Sequence, residues 1–344
     1  MIARGHAARV ARARARRCGV GLVELLLAMT ISLLLVGGSV TVFLESRDAH
    51  AALETTARLQ EVGRYALAVI ESDVRMAGYL GLMSRPELVT NLGGPLTGPA
   101  GAPAALRGCT DHWATDLSKR LDGWDHSDGS WPLAADCRPF GRWRASTDGL
   151  VVRRASAERL AQSTAGLKEF HRHVLIVSSH TSGQVFVGDA AGTIPADYAQ
   201  SDPVDAPPGA DTRRLLVHAY YVSTDSSEAR GHPSLRRKRL VAGPAVQDEE
   251  IIPGVEDLQV QYGLDADGDA SADRYVNAGE YGDGGKIVSA RIWLRIRAAG
   301  RDVAWEDANR YAYANQDERV GPDERQFRRV VVSRTISLRN ARDP

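Results

Sequence analysis

The stretch VGLVELLLAMTISLLLVGGSVTVFL, residues 20–44, decides the architecture of this chain. It contains one charged residue, Glu24. As a helix it would span about 37 Å at ~1.5 Å per residue, which is enough to cross the ~30 Å hydrocarbon layer of a bilayer. The sequence therefore predicts a transmembrane helix close to the N-terminus.

The segment that precedes this stretch is strongly basic. Residues 1–18 carry six Arg and no acid, although the whole chain of 344 residues has 43 basic and 43 acidic side chains. Because basic flanks stay in the cytoplasm, everything after Glu45 is predicted to lie on the outer side. The balanced total charge gives no reason to expect a nucleic acid partner.

Two general interpretations of the apolar stretch do not account for Glu24. One is a plain membrane anchor, and the other is a secretory signal peptide cut after the apolar run. The run is long for a signal peptide, and only the weak sequence Gly37-Gly38-Ser39 resembles a cleavage site. An acid at the bilayer centre costs roughly 2.5–3.5 kcal/mol, so Glu24 requires a physical reason.

A third interpretation gives Glu24 a role. The sequence Arg16-Arg17-Cys18-Gly19-Val20-Gly21-Leu22-Val23-Glu24 resembles the class III signal of type IV prepilins. In that family a prepilin peptidase cuts after the Gly and methylates the new N-terminal amine. The resemblance implies that Gly19 ends the leader, that Val20 begins the mature chain, and that Glu24 neutralises the terminal amine of an adjoining subunit. Val20 departs from the usual Phe or Met, and the leader is longer than the shortest ones.

The helix is predicted to continue beyond the membrane. Residues 45–77 contain no Pro, and their apolar residues recur at the spacing of one buried helix face: Leu59, Val62, Ala66, Val69, Ile70, Val74 and Ala77. The sequence Gly78-Tyr79-Leu80-Gly81 is predicted to end the helix. These patterns divide the N-terminal part into a leader (1–19), a transmembrane half-helix (20–44) and an amphipathic half-helix (45–81).

Residues 82–147 are rich in Gly, Pro, Asp and Trp, and they are predicted to form a long irregular insertion. They contain Cys109 and Cys137, while Cys18 lies in the leader. Removing the leader would leave an even cysteine count in an oxidising compartment, which favours a disulfide between Cys109 and Cys137. Two free buried thiols are the alternative. The Trp residues are expected to pack around the bond.

Residues 148–344 are predicted to form a β-rich head. Short β-rich runs lie between turn signals, and the clearest is Ile287–Arg297, in which apolar and polar residues alternate. Alternation of this kind is typical of a sheet with one face covered. The predicted fold class is α+β, with a long N-terminal helix packed on an antiparallel sheet. The predicted runs are Gly149–Arg154, Val174–Ser178, Gln184–Gly188, Arg214–Val222, Arg239–Ala242, Val255–Gly263, Ile287–Arg297 and Phe327–Leu338.

A second resemblance lies in the C-terminal third. The sequence IPGVEDLQVQYG at residues 252–263, the Asp-rich loop after it, Ile292-Trp293-Leu294 and the run from Arg329 to Asn340 are similar to the PilW family of minor pilins. The helix end Arg75-Met76-Ala77-Gly78-Tyr79 is similar as well. The resemblance covers residues 17–82 and about 250–340.

The Asp-rich loop is a candidate calcium site. Asp265, Asp267, Asp269 and Asp273 occupy positions 1, 3, 5 and 9 of a short loop, and oxygen ligands at such spacing can converge on a hard cation. The pattern departs from a full EF-hand, because Val276 stands where the bidentate Glu would be. A solvated acidic turn is the alternative interpretation.

No catalytic motif appears in the sequence, so an enzyme is not expected. The basic cluster at residues 236–239 is predicted to protect an exposed strand edge. By resemblance, the chain would be a minor pilin, stored in the inner membrane as a single-pass protein with a periplasmic head and then moved into the extracellular pilus. Its partners would be prepilin peptidase, other minor pilins, the major pilin and a tip adhesin. In a tip complex it would promote pilus assembly, adhesion and twitching motility.

Two other functions stay open at this point. One is a minor pseudopilin of a type II secretion system, which would share the same N-terminal signal. The other is a membrane-anchored periplasmic binding protein or enzyme, for which Glu24 would have no role.

Overall fold

The computed structural model describes residues 21–90, 95–101, 103–104, 106–107, 109, 112–125, 131–160, 164–198, 210–281 and 286–341. The predictions for Gly19 and Val20 therefore concern residues outside this description. The chain divides into two compact units, residues 1–54 and residues 55–344.

Helix α1 runs from Leu22 to Arg75 without interruption over 54 residues. In the first unit its apolar side chains are exposed, and Leu22 and Leu34 show 77% and 76% of their surface. Length and composition make α1 suitable for crossing a membrane, as the sequence predicted. The helix ends near the predicted position, and Gly78 has a φ of +73°, a conformation that glycine adopts without strain.

The second unit contains sixteen strands among its described residues. The first nine are β1 (Val89–Thr90), β2 (Leu96–Thr97), β3 (Pro103–Ala104), β4 (Leu121–Trp124), β5 (Gly149–Ala155), β6 (Val174–Ser178), β7 (Gly183–Val187), β8 (Asp211–Ser223) and β9 (Ser234–Val241). The others are β10 (Ala245–Pro253), β11 (Val255–Asp265), β12 (Arg274–Val276), β13 (Lys286–Arg297), β14 (Arg310–Tyr313), β15 (Gln316–Arg319) and β16 (Arg329–Ser337). A short helix α2 (Thr164–Lys168) and four 3₁₀ turns lie between them, at Pro86–Leu88, His112–Ala114, Ala196–Tyr198 and Pro322–Glu324.

The strands form two main sheets. The larger has eight strands in the order β1-β7-β6-β8-β5-β4, and β9 joins β8 while β10 joins β9. The smaller has four strands in the order β12-β11-β13-β16, and all of its neighbours are antiparallel. Two-stranded hairpins are formed by β2 with β3 and by β14 with β15. The predicted α+β class is confirmed, although the single predicted sheet is two sheets.

The buried stripe of α1 connects both sheets. In the second unit Leu59, Ala66, Leu67, Ile70 and Val74 are at most 5% exposed, and they pack in one apolar cluster. The small sheet contributes Val260, Ile292, Leu294 and Ile296 to this cluster, and the large sheet contributes Leu150, Val152, Tyr220 and Val222. Burying one such side chain stabilises the fold by about 1.5–3 kcal/mol relative to leaving it exposed.

Two further apolar clusters lie on the large sheet. One contains Leu80, Met83, Leu117, Ile176 and Val217, and Trp113 packs against it. The other contains Leu167, Leu175, Val177, Phe186 and Tyr198. Strands β6 and β7 therefore contribute side chains to both of these clusters, which explains why the run VLIVS at Val174–Ser178 is buried at every position.

Strand β13 follows the predicted alternation, but its polar face is covered. Val288, Ala290, Ile292, Leu294 and Ile296 are at most 3% exposed, as expected. However, Arg295 and Arg297 on the opposite face are each only 5% exposed. The chain between β13 and β16, including the β14–β15 hairpin, supplies acidic partners to this face.

A buried acid of β11, Glu256, and two partly exposed acids of this segment, Glu318 and Glu324, form an ion network with the arginines. Nε of Arg295 lies 2.6 Å from Oε1 of Glu256, which also accepts a 2.7 Å hydrogen bond from Nε of Arg329. Glu318 accepts a 2.7 Å bond from Arg295, and Glu324 accepts a 3.2 Å bond from Arg297. Since buried charges are costly unless they are paired, the segment that carries Glu318 and Glu324 makes the buried arginines tolerable.

Strand β9 is not an edge strand, so that prediction is wrong. It lies between β8 and β10, and its cations pair with acids of β10. Arg236 contacts Asp248 at 2.7 Å and Glu250 at 2.8 Å, and Lys238 contacts Asp248 at 3.0 Å. The basic cluster is therefore neutralised within the chain.

One acid of α1 is buried against the large sheet. Asp73 is 2% exposed, and its carboxylate accepts hydrogen bonds from Arg154 at 2.7 Å and from Tyr220 at 2.5 Å. Nδ1 of His218 lies 2.5 Å away, and a guanidinium nitrogen of Arg237 lies 3.8 Å away. These partners come from β5, β8 and β9, so one carboxylate joins the helix to three strands.

The surroundings of Asp73 lower its pKa. Burial by itself would raise this pKa, but the hydrogen bond and charge of His218, the Tyr220 hydroxyl and the Arg154 charge outweigh it. The pKa of the carboxyl is therefore held well below its usual range, and the ionised form stabilises the folded state.

We expect Asp73→Asn to lower the free energy of unfolding by about 3–5 kcal/mol, because Arg154 and its neighbours lose their buried counter-charge. Since the folded-state pKa is depressed, the contribution of Asp73 is present above the unfolded pKa of about 3.9 and is lost as pH falls below it. Denaturant unfolding of the full-length protein in detergent, measured between neutral pH and about pH 3, checks both expectations.

Glu71→Gln is the matched control on the same helix. Glu71 pairs with Arg75 and Arg334, whose side chains are 49% and 43% exposed. Exposed pairs contribute at most about 1 kcal/mol, so this variant should remain close to wild type. Equal losses in the two variants would contradict the role given to Asp73.

Candidate functional site

Glu24 lies in the first turn of α1, and its side chain is exposed. The helix begins with a hydrogen bond from the N–H of Leu25 to the carbonyl of Gly21 at 3.0 Å. A carboxylate in the first turn interacts favourably with the helix dipole. Its predicted role in assembly depends on a neighbouring subunit, so it stays a prediction.

The two cysteines of the insertion lie together. Their Cα atoms are 4.4 Å apart and their sulfurs are at bonding distance, and both residues are at most 1% exposed. The Cα separation falls in the range of disulfides. The geometry therefore agrees with the predicted pair Cys109–Cys137, and oxidation in the cell stays a prediction.

Aromatic side chains pack next to this cysteine pair. Trp131 lies edge-to-face against Trp124, Trp143 and Tyr221, with ring centroids 5.9, 5.6 and 5.2 Å away. The indole N–H of Trp131 also donates to the carbonyl of Cys137 at 2.8 Å. Since Tyr221 belongs to β8, this cluster attaches the insertion to the large sheet.

The Asp-rich loop connects β11 to β12. The structure places carboxylate oxygens of Asp265, Asp267 and Asp269 within 4.8 Å of one another. Two ligands about 2.4 Å from a calcium ion are at most about 4.8 Å apart, so the spacing is compatible with a shared cation. Asp265 is buried, whereas Asp267 and Asp269 are exposed.

The fourth predicted ligand has a different position. The carboxylate of Asp273 accepts a 2.7 Å hydrogen bond from the N–H of Ala266, and it is not part of the group of three. Asp265 accepts bonds from the N–H groups of Gly268 and Ala270, at 2.7 and 2.9 Å. These bonds shape the loop around Asp265, and calcium binding by it stays a prediction.

Sequence reasoning missed the buried acid Asp73. A signal was present, because Asp73 lies four residues after Val69 and three after Ile70, which places it on the apolar stripe of the helix. An acid on such a stripe indicates a buried partner. The network around Glu256 was also missed, because its partners Arg295 and Arg329 come from other strands of the sheet, and periodicity within one strand does not show such pairing.

Comparison with known families supplies the decisive observation. Residues 219–340 match the sequence model of the type IV pilus-assembly protein W, PilW. These residues are therefore similar to the PilW family of pilus-assembly proteins. The PilW region begins within β8 and extends past β16, so it contains the whole small sheet and the Asp-rich loop. No curated protein and no solved structure shows significant similarity to the chain.

The PilW match agrees with the C-terminal resemblance seen in the sequence. It covers about a third of the chain, and the prepilin-like N-terminus lies outside it. The matched family is described as an assembly protein and not as an enzyme. A role in type IV pilus assembly is therefore supported for the PilW region, and the N-terminal helix is consistent with membrane anchoring.

We expect Cys109→Ser to lower the free energy of unfolding by about 3 kcal/mol, because the cross-link closes a loop with a sequence separation of 28. Thermal or denaturant unfolding measures the loss. The wild-type protein after reduction is the control and should lose a similar amount of stability. Alkylation of the denatured, unreduced protein followed by mass spectrometry should show both residues unlabelled, and labelling of either one would contradict the bond.

We expect calcium to raise the unfolding midpoint, because a cation that binds only the folded loop stabilises it. Asp267→Ala should abolish this rise, since it removes one of three converging carboxylates. Asp317→Ala, which removes an exposed acid of the β14–β15 hairpin, should retain the rise. Thermal melts with calcium, magnesium or EDTA measure the effect, and an identical midpoint in all three would contradict the site.

Proposed function

We propose that the chain is a minor pilin of the type IV pilus. The observation that carries this proposal is the PilW match at residues 219–340. The exposed apolar part of α1, up to residue 44, supports it, because a pilin needs a segment that is stable both in lipid and in a fibre core. In this proposal the inner membrane holds residues 20–44, and the periplasm contains the head together with the second half of α1.

Processing at Gly19 and Val20 would leave the apolar helix attached to the mature chain. A methylated amine at Val20 is a cation at a helix N-terminus, where the dipole disfavours positive charge. Glu24 of one subunit would neutralise the amine of its neighbour in the apolar fibre core. The cost of placing Glu24 in lipid is then offset when subunits assemble.

We place the protein in the tip complex and not in the shaft. A shaft repeats the same contacts many times, which favours a compact head. This head carries an insertion at residues 82–147 with its own cysteine pair and aromatic cluster. Its partners would be the other minor pilins, the major pilin and an adhesin at the tip, and its role would be to start assembly and to support adhesion and twitching motility.

The alternative of a pseudopilin in type II secretion has the same N-terminal signal. The PilW match favours the pilus, because it concerns the head and not the shared N-terminus. A catalytic or binding role for a tethered periplasmic domain has no comparable observation in its favour.

Mass spectrometry of the protein purified from membranes tests the processing step. We expect the chain to begin at an N-methylated Val20, because the cut falls before the helix. A chain that still begins at Met1, or that lacks the apolar stretch, would sink the prepilin assignment.

The Glu24→Ala variant tests assembly separately from processing. It should be cut and methylated normally but should not enter sheared pili, because the terminal amine of its neighbour loses its counter-charge. Glu45→Ala, which removes the next acid along α1, is the control and should assemble. Normal pilus incorporation of Glu24→Ala would contradict the role of this carboxylate.

A further inference from the structure

Strand β16 forms an open edge of the small sheet. It pairs with β13, and no other described strand pairs with it. The N–H of Leu338 donates to the carbonyl of Val288 at 2.9 Å, and the N–H of Ala298 donates to the carbonyl of Arg328 at 2.9 Å. Since backbone groups alternate in direction along an antiparallel strand, the even-numbered residues from 330 to 336 bond to β13. The odd-numbered residues therefore direct their backbone groups away from the sheet.

These outward backbone groups have no partner in the described structure. No hydrogen bond among the described residues involves the backbone N–H or C=O groups of the outward residues. Three of these residues are exposed, so solvent reaches this edge. A row of unpaired backbone groups is a template for an added strand. The outward residues are Val331, Ser333, Thr335 and Ser337, and the last three are the exposed ones.

The usual protection of an open edge is missing from β16. The strand contains no Pro and no Lys, and its register with β13 runs without a bulge. Its exposed charged side chain, Arg334, is paired with Glu71 of α1. By contrast, the open edge strand of the large sheet, β10, carries three acids. Because natural proteins usually block unpaired edges, the unprotected edge of β16 indicates that a strand is added there.

On the helix side of this edge, cations outnumber acids. Glu71 pairs both with Arg334 of β16 and with Arg75, and both arginine side chains are more than 40% exposed. Arg64 lies seven residues before Glu71, which is about two helical turns, so it belongs to the same flank of α1. It is exposed, and no ion pair within the described structure includes it. Three arginines therefore share one carboxylate on this side.

The outer face of the sheet supplies a further cation beside the edge. Nε of Arg291, on β13, donates to Oγ1 of Thr335 at 3.3 Å, and its guanidinium carbon lies 4.0 Å from the centre of the Tyr275 ring. Trp293 lies on its other side, with the ring centre 5.9 Å away. No carboxylate among the described residues pairs with Arg291. Both faces next to the edge therefore carry an excess of positive charge.

We propose that β16 accepts an extended segment with acidic side chains from another protein subunit. The backbone of that segment would bond to the outward groups of residues 331–337. Its side chains would point alternately to the outer face, where Arg291 lies, and to the helix side, where Arg64 and Arg334 lie. Charge complementarity would select an acidic segment over a basic one. The inference that this subunit belongs to the pilus rests on the function proposed above.

A second copy of this chain fits the edge less well. Helix α1 packs directly on the small sheet, and a Cβ on Gly63 would meet Cγ2 of Val332 at 2.8 Å. Two antiparallel copies of β16 would be related by a two-fold axis perpendicular to the sheet, which reverses the direction of the helix. Two copies anchored in one membrane by α1 would need parallel helices. The occupant is therefore a different subunit.

The test measures the binding of synthetic strands to the full-length protein in detergent. The first probe is a fluorescent peptide of about eight residues, close to the length of a long strand, in which Val and Glu alternate. The second probe has Lys in place of Glu. The third is the Val–Glu peptide with every backbone nitrogen methylated. We expect saturable binding of the first by fluorescence anisotropy, binding about tenfold weaker for the second, and no binding of the third, because methylation removes the backbone donors.

Two variants test the backbone pairing within the protein. Ser333→Pro should weaken binding of the Val–Glu peptide by about tenfold, because it removes an outward N–H and places a ring at the edge. The fold should tolerate this change, since that N–H has no partner in the sheet. Ser333→Ala is the matched control and should bind as wild type does. If Ser333→Pro does not fold, the methylated peptide decides the pairing alone.

Two further variants test the charge. Arg291→Gln should weaken binding of the Val–Glu peptide by about fivefold, because it removes a cation next to the edge. Arg310→Gln is the matched control, since Arg310 is an exposed arginine of the β14–β15 hairpin that pairs with Asp317. It should bind as wild type does.

Four results would overturn the proposal. The Val–Glu peptide fails to bind up to about 1 mM, or the methylated peptide binds equally well, so that no strand is added. The Lys peptide binds as tightly, so that the partner is not acidic. Sedimentation shows a dimer that Ser333→Pro disrupts, so that the occupant is a second copy. None of these results depends on processing at Val20, so their failure and that of the pilin assignment are distinguishable.

Discussion

The head depends on a single helix face that is shared by two sheets. The stripe from Leu59 to Val74 fills the space between them, and Asp73 adds a carboxylate bonded to Arg154 and Tyr220. Apolar burial supplies most of the free energy of docking, but it is not directional. The Asp73 contacts are directional, and they fix both the rotation and the axial position of the helix on the large sheet.

Many charged side chains of this head form ion pairs with one another and join strands or segments of the fold. The smaller sheet buries Arg295, Arg297 and Arg329, which pair with Glu256 of β11 and with Glu318 and Glu324 of the covering segment. Buried ion pairs are weak evidence for stability, because desolvation offsets much of their attraction. Their effect here is to make the cover specific, since an apolar segment would remove the Glu318 partner of Arg295 and the Glu324 partner of Arg297. The balanced overall charge of the chain therefore reflects pairing within the fold.

Regular elements could be predicted from the sequence where one periodicity dominates. Helix α1, β6, β11 and β13 have continuous apolar patterns, and their observed bounds lie within a few residues of the predicted ones. Strand β10 was missed, because the acids at Asp248, Glu249 and Glu250 interrupt its apolar pattern. Those acids are tolerated only because β9 places cations opposite them. The position of β10 therefore depends on which strand lies beside it. The periodicity of a single segment does not show which strand that is.

The candidate sites likewise divide into those that a local sequence pattern predicts and those that depend on contacts between distant segments. The Asp-rich loop and the cysteine pair are local or compositional, so the sequence predicted both, and the structure brings together Cys109 and Cys137 and three of the four aspartates. Asp273 could not be placed in advance, because its position depends on a bond to the backbone of Ala266.

Strand β10 lies at an edge of the large sheet, so its charges bear on how two copies of this head could meet. Its outer edge is bonded only near Ala245 among the described residues, so several backbone groups are available to a foreign strand. An open edge of this kind is a template for uncontrolled aggregation. The acids along β10 make that edge poorly suited to joining another copy of itself, because identical strands would bring like charges together. The charges along β10 therefore disfavour edge-to-edge pairing of two heads.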